Sequence, residues 1–265
     1  MKKQNRLSFL VALIFAITGA AAAQTILFED NFNSPPLDVT TKWKRGSNSS
    51  GVTIQGNYLQ LVSQSGQSGW IVTQQAYTAN NTSMSIKILR ANIYADIGIC
   101  PTSPALNKPN GIYDEPNYYR FYVGRDDGIN QPPYKLYAYR KKGGSPEDTV
   151  RTLWLPSPYG DGNTPVYMRM RFSEEMIFFE YSLDNCAWII MYFETFDLPG
   201  YSTSNSFYYE IAATDTPVNG ILEVDDFKIE NYPATNYAAQ PTILNDPLNS
   251  PTFNSLEIQA SAEKM

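Results

Sequence analysis

Apolar and polar residues alternate along much of this chain in short runs, most clearly from Val166 to Phe172. There Val166, Met168, Met170 and Phe172 fall on one face of an extended segment and Tyr167, Arg169 and Arg171 on the other. A period of two belongs to a strand with one face in a core and one in water. Comparable aromatic and β-branched runs lie at 26–28, 52–54, 58–62, 69–73, 84–89, 94–99, 118–124, 134–140, 176–182, 187–193, 208–212 and 221–229. Turn residues separate several of them: Gln55-Gly56-Asn57, the Asp-Gly pair at 127–128, and Leu183 to Cys186 predict hairpins. No window of a dozen residues beyond the leader repeats apolar positions at three- and four-residue spacing, so no helix is predicted. About a dozen such strands predict an all-β chain folded as two packed antiparallel sheets.

Three stretches break this rhythm. Residues 101–117 are rich in Pro and Asn and form a long connection, a length at which loops are often functional or mobile. Residues 232–265 are again Pro- and Asn-rich and read as a tail, whose weak alternation from Leu256 to Ala260 could add a strand to its own or a neighbouring domain. At the start, Lys2, Lys3 and Arg6 precede an apolar stretch from Phe9 to Ile17 and a small-residue run ending at Ala23. That is the layout of a secretory signal peptide cleaved after Ala23, and the stretch is short of the roughly 20 residues of a bilayer span. The expected organisation is a signal peptide at 1–23, one sandwich domain at 24–231 and a tail at 232–265, exported and without membrane insertion after cleavage.

Losing the leader with its three basic residues takes the formal charge from −6 to −9. An acidic surface without basic runs argues against nucleic acid and anionic membranes as partners. The chain has no histidine, which removes the commonest general base, the Ser-His-Asp and Cys-His arrangements, and most zinc sites. Its two cysteines, Cys100 and Cys186, allow one disulfide in an exported protein, or stand as two separate buried thiols.

Three segments together carry a family resemblance. Leu27 to Phe32, followed by Trp43 and by Gly56 to Leu59, is similar to the opening strands of concanavalin A-like lectin/glucanase domains, laminin G-like domains among them. Tyr181 to Trp188 (YSLDNCAW) resembles their S-x-D-G-x-x-W hairpin, with Asn185 where glycine is usual, and Asn also accepts a left-handed backbone. Glu223 to Ile229 (EVDDFKI) is similar to their last strand. The resemblance covers residues 26 to 230, implies a two-sheet antiparallel jelly-roll sandwich with Trp43 and Trp188 in its framework, and implies sugar or cell-surface partners without fixing a function.

The same resemblance suggests chemistry to test. Laminarinase-type glycosidases place E-x-D-x-x-E on one strand, because retaining hydrolysis needs two carboxyl groups about 5 Å apart. Glu223 and Asp225 match the first two positions, but Lys228 fills the third, so the motif is incomplete. Lyase chemistry would need tyrosines with Arg120, Arg140, Arg169 or Arg171 on a concave face, and lacks its usual histidine. Related jelly rolls join first and last strands through Ca²⁺, which wants six to eight oxygens; Glu29, Asp30, Asp225 and Asp226 are the candidate ligands. For sugars, exposed aromatic faces with planar polar groups are required, and Tyr113, Asp114, Trp154, Tyr159 and Asp161 are the candidates. The expectation is a secreted carbohydrate-binding or cell-surface recognition domain without catalysis, its partner a polysaccharide or cell-surface glycan. Two readings compete with it: an extracellular structural or adhesion subunit that assembles with itself or a protein partner through sheet edges or terminal segments, and a divergent polysaccharide-active enzyme.

Overall fold

The computed structural model describes residues 24–46, 51–63, 68–91, 94–124, 135–156, 159, 164–214 and 220–231. The expected signal peptide, the tail and the Asp-Gly turn at 127–128 therefore lie outside the described residues. What is described is two antiparallel sheets of eight strands each.

One, the back sheet, runs in the order β14 (Ile189–Thr195), β13 (Met176–Ser182), β12 (Val166–Phe172), β7 (Thr82–Ala91), β16 (Gly220–Asn231), β4 (Tyr58–Ser63), β3 (Thr53–Gln55), with β1 (Thr25–Asp30) also paired to β16. The front sheet runs β11 (Asp148–Trp154), β10 (Lys135–Lys141), β9 (Tyr118–Gly124), β8 (Tyr94–Cys100), β15 (Ser206–Thr214), β5 (Gly69–Thr73), β2 (Trp43–Arg45), with β6 (Tyr77–Thr78) beside β15. The chain crosses repeatedly between the sheets, with β8 to β11 running as a meander in the front sheet and β12 to β14 in the back one.

The alternation read from the sequence is the alternation of the core. Val166, Met168, Met170 and Phe172 are buried between the sheets while Tyr167, Arg169 and Arg171 face outward. Opposite them the inner positions of β9 and β15 contribute Tyr119, Phe121, Phe207, Tyr209 and Ile211. Aromatic rings meet edge to face across the gap, Phe121 on Phe179 at 5.6 Å and Phe28 on Trp43 at 5.0 Å. Each fully buried ring contributes on the order of 2 kcal/mol by leaving water.

Three strands lack an alternating signal: β2, β6 and β11. Two are very short, and β11 is an edge strand with Asp148, Thr149 and Arg151 in solvent. Charged side chains on an edge discourage pairing with another chain, so the polar sequence suits the position.

The long strand β16 changes neighbours along its length. The residues 220–224 of β16 pair with β4 and 227–231 with β1, and the register slips between them in a β-bulge. Asp226 sits in that bulge with φ +51°, which throws its side chain into solvent and returns Phe227 to the core.

Candidate functional site

The outward face of the front sheet carries the densest chemistry among the described residues. Cross-strand register sets Arg120 on β9 opposite Gly98 on β8, and Gly98 opposite Glu210 on β15. One step along lie Tyr122 and Asp96. Arg120 reaches Asp96 through Nη1 at 3.3 Å and clamps the Glu147 carboxylate with Nε at 3.0 Å and Nη2 at 2.8 Å. Tyr118 donates its hydroxyl to the same Glu147 oxygen at 2.7 Å. The guanidinium lies within 4.9 to 6.0 Å of the rings of Tyr113, Tyr118, Tyr139 and Tyr122. Burial works against the Arg120 charge, but Asp96 and Glu147 outweigh it and hold it firmly protonated.

This face is roofed by the chain itself. Pro101, Pro104, Pro109 and Pro116 deny residues 101–117 regular pairing, and the segment crosses the sheet as a strap with one 3-10 turn, Gly111–Asp114. Hydrogen bonds pin it along its length. The Trp70 indole donates to the Lys108 carbonyl at 3.2 Å, Ser68 N to the Pro109 carbonyl at 3.0 Å, and Lys141 Nζ to the Tyr113 carbonyl at 3.2 Å. At its centre Ile112 fills the space above Gly98, where any Cβ would collide with it, and Ile112 N donates to Glu210 Oε2 at 2.8 Å. Asp96 and Glu210 are each 1% exposed and Arg120 4%. The expected long loop is thus an ordered lid on the sheet.

Under the strap, Glu210 is pushed well above the usual carboxylate range, first by burial and then by the charge of Asp96; the Ile112 amide and Arg120 oppose this without cancelling it. Its Oε1 has no hydrogen-bond partner among the described residues. A neutral acid beside a second carboxyl is the pairing from which acid–base chemistry is built. Here Gly111 and Ile112 pack directly over it, and the group lies in a buried polar cluster.

The sequence-derived candidates separate in space. Tyr113 stands 43% exposed on the strap, 5.6 Å from Lys141 Nζ. Asp114 turns back on the strap, accepting from Asn110 N at 3.1 Å. Trp154 ends β11 with Lys135 Nζ 3.9 Å over its ring. Lys135 and Lys141 are the two ends of β10, so Trp154 and Tyr113 lie roughly 20 Å apart. Tyr159 is half-buried against the core and Asp161 lies outside the described residues. The set does not form one surface.

Nor do the candidate calcium ligands gather. Asp30 is buried, accepting from Trp43 Nε1 at 2.8 Å and Phe32 N at 3.0 Å. Glu29 pairs with Lys228 at 3.4 Å, Asp225 accepts from Asp226 N at 2.8 Å, and Asp226 points away. No three acidic or thiol side chains converge among the described residues, so this donor set does not fit the ion. The broken alternation at Asp225-Asp226 is the bulge in β16. The disulfide also requires correction: Cys100 and Cys186 are free, because Cys100 is buried beneath the strap and Cys186 is exposed in the β13–β14 turn of the other sheet.

Trp188, expected in the framework core, instead lies half-exposed on the outer face of the back sheet, 3.9 Å from the Arg169 guanidinium. Glu223 at the start of the incomplete hydrolase motif also faces outward there, accepting from Gln60 Nε2 at 3.2 Å. Arg120, Arg140, Arg169 and Arg171 are all held by carboxylates, Arg140 by Glu194 at 2.5 Å and Arg169 and Arg171 by Glu180 at 2.6 and 2.8 Å. Sequence reading named Arg120 but missed its grouping with Asp96, Glu147 and Glu210; the signal was a single charge in each of three strands otherwise rich in apolar and aromatic residues.

No family model matches the chain, and no curated protein matches it. Solved structures do. The GH43 BlXynB protein from Bacillus licheniformis superposes with TM-score 0.57 at 14% identity, over 77% of this chain and 39% of that one. A non-specific endo-beta-1,3(4)-glucanase of family GH16 superposes with TM-score 0.56 at 11% identity, over 79% and 95%. A legume lectin-like domain from Entamoeba histolytica superposes with TM-score 0.55 at 12% identity, over 76% and 95%. This chain thus spans about two fifths of the GH43 protein and nearly all of the other two. Identities this low speak to the fold alone, and the superpositions agree with a sandwich of two antiparallel sheets. The chain has the concanavalin A-like jelly-roll fold.

Proposed function

We propose that this protein is an exported glycan-recognition domain that does not cleave its ligand. One observation carries the reading: the front sheet, on which Asp96, Glu210 and Tyr118 would have to meet a substrate, is sealed by residues 101–117. A carboxyl that neither water nor a glycosidic oxygen can reach is no general acid. Recognition, by contrast, needs only exposed aromatic faces beside polar groups, and these are available outside the strap. The shared fold of a lectin-like domain and of glycoside-processing proteins supports a sugar as the ligand class. The test is a glycan array together with a reducing-end assay on β-glucans and xylans. Binding without product release supports the proposal; turnover that Glu210→Gln abolishes would replace it with the enzyme reading.

Assembly is a second reading, favoured by the same sealed face and by Phe193, 46% exposed on the edge strand β14. Association that disappears when residues 232–265 are deleted would support it.

A further inference from the structure

The back sheet carries an open groove of about 300 Å³ on its outer face, over β7, β12 and β16 and below the β13–β14 turn. Tyr167, Arg169, Asn185, Trp188, Asp226 and Lys228 are among the residues that line it. Its parts are fixed in place. Asn185 adopts φ +61° and Asp184 Oδ1 accepts from Cys186 N at 2.8 Å and Ala187 N at 2.9 Å, a tight turn that carries Trp188 back over β12. The indole meets the Arg169 guanidinium at 3.9 Å, and Arg169 is itself held by Glu180 through Nε at 2.6 Å. Tyr167 lies two residues away on the same strand face with Lys87 Nζ 5.9 Å from its ring. Across the groove, the bulge in β16 presents Asp226 to solvent.

The charges decide the ligand class. Arg169 shares the Glu180 carboxylate with Arg171 and Lys228 faces Glu29 at 3.4 Å, while Asp226 and Glu230 in the lining offset the charges of Arg169 and Lys228, so the groove has no surplus of cations with which to hold an anion. Asp226 accepts no hydrogen bond among the described residues, and its carboxylate has lone pairs open to hydroxyl donors. Ring faces suit the apolar C–H face of a sugar, while Asp226 and Asn185 suit its hydroxyls. Resting on the glycan reading above, we propose that this groove binds an uncharged sugar ring of an oligosaccharide, stacked against Trp188 and Tyr167 and hydrogen-bonded by Asp226.

Isothermal titration of the full chain with cellohexaose, laminarihexaose, xylohexaose and, as the anionic control, hexagalacturonate tests this. At least one neutral hexasaccharide should bind. Trp188→Ala and Asp226→Gly should each weaken it tenfold or more, while Arg151→Ala on the far edge of the front sheet should leave it unchanged. Glycine accepts the positive φ at 226, and thermal melts of both variants separate loss of binding from loss of fold. Unchanged affinity in both groove variants overturns the groove and leaves glycan recognition standing. Groove-dependent preference for hexagalacturonate overturns the uncharged class. Silence of the wild type toward all four overturns the groove and the glycan reading together.

Discussion

Glu210 illustrates how one side chain can be both misplaced by ordinary rules and essential to local order. It is a carboxyl in a buried site, held by the Ile112 amide at 2.8 Å, with Asp96, Asp114 and Arg120 as its charged neighbours. Because its folded pKa is raised, the folded state binds its proton more tightly than the unfolded chain does. The contribution to stability is complete below the ordinary carboxylate range and is lost as pH rises toward the raised value. Urea titrations between pH 4 and 8 should therefore show the wild type losing stability with pH relative to Glu210→Gln, which keeps a neutral acceptor; parallel pH profiles would refute the assignment. Arg120→Met should be much worse, costing about 3–5 kcal/mol, since it strands Asp96 and Glu147 without a counter-charge. Gly111 completes this unit: its φ is +58° and a Cβ would collide with the Glu210 carboxyl, so Gly111→Ala should cost about 2 kcal/mol or more. In a Glu210→Ala background part of that loss should return, a coupling that a double-mutant cycle measures directly.

At the scale of strands and turns, legibility followed packing. β5, β9, β12 and β13 have the limits read from the sequence because their inner positions are large and apolar and their ends are turn residues. The YSLDNCAW hairpin was readable for the same reason: Asn185 takes the left-handed backbone that its place in the motif demands. Asn185→Gly should accordingly change stability by less than about 0.5 kcal/mol, whereas Asn185→Ala should lose about 1 kcal/mol in denaturant melts. What the pattern concealed was the fate of outward faces. On β9, Tyr118, Arg120 and Tyr122 occupy positions that an alternating rule assigns to water, yet every residue of the strand is buried. Their roof comes from another segment, and contacts such as Glu210 with Ile112, 98 positions apart, leave no local trace. The conformation of Asp225-Asp226 was concealed similarly. Adjacent aspartates at 225 and 226 imply an inward charge in need of a ligand, whereas β16 resolves the conflict with a bulge where it passes from β4 to β1.

On the scale of the molecule, the two sheets divide the work. The front sheet is closed over by the strap, and its edge strand β11 shows charged and polar residues to water. The back sheet stays open, and its edge strand β14 does the reverse, presenting Phe193 stacked on Phe178 at 5.8 Å with Arg171 4.0 Å over the Phe178 ring. An edge with unpaired backbone groups and an exposed ring is a template for another strand. If copies of this chain associate, β14 is therefore the edge through which they meet, and β11 is protected. Light scattering over a concentration series is expected to detect that association at high concentration. Phe193→Lys should push its midpoint to at least tenfold higher concentration, because a charge on the edge would need to be buried in the pair. Replacing Arg151 on β11 by Lys, which keeps that edge charged, should leave that midpoint unchanged. Association that ignores Phe193→Lys but vanishes when residues 232–265 are removed would move the contact from the sheet edge to the terminal segment.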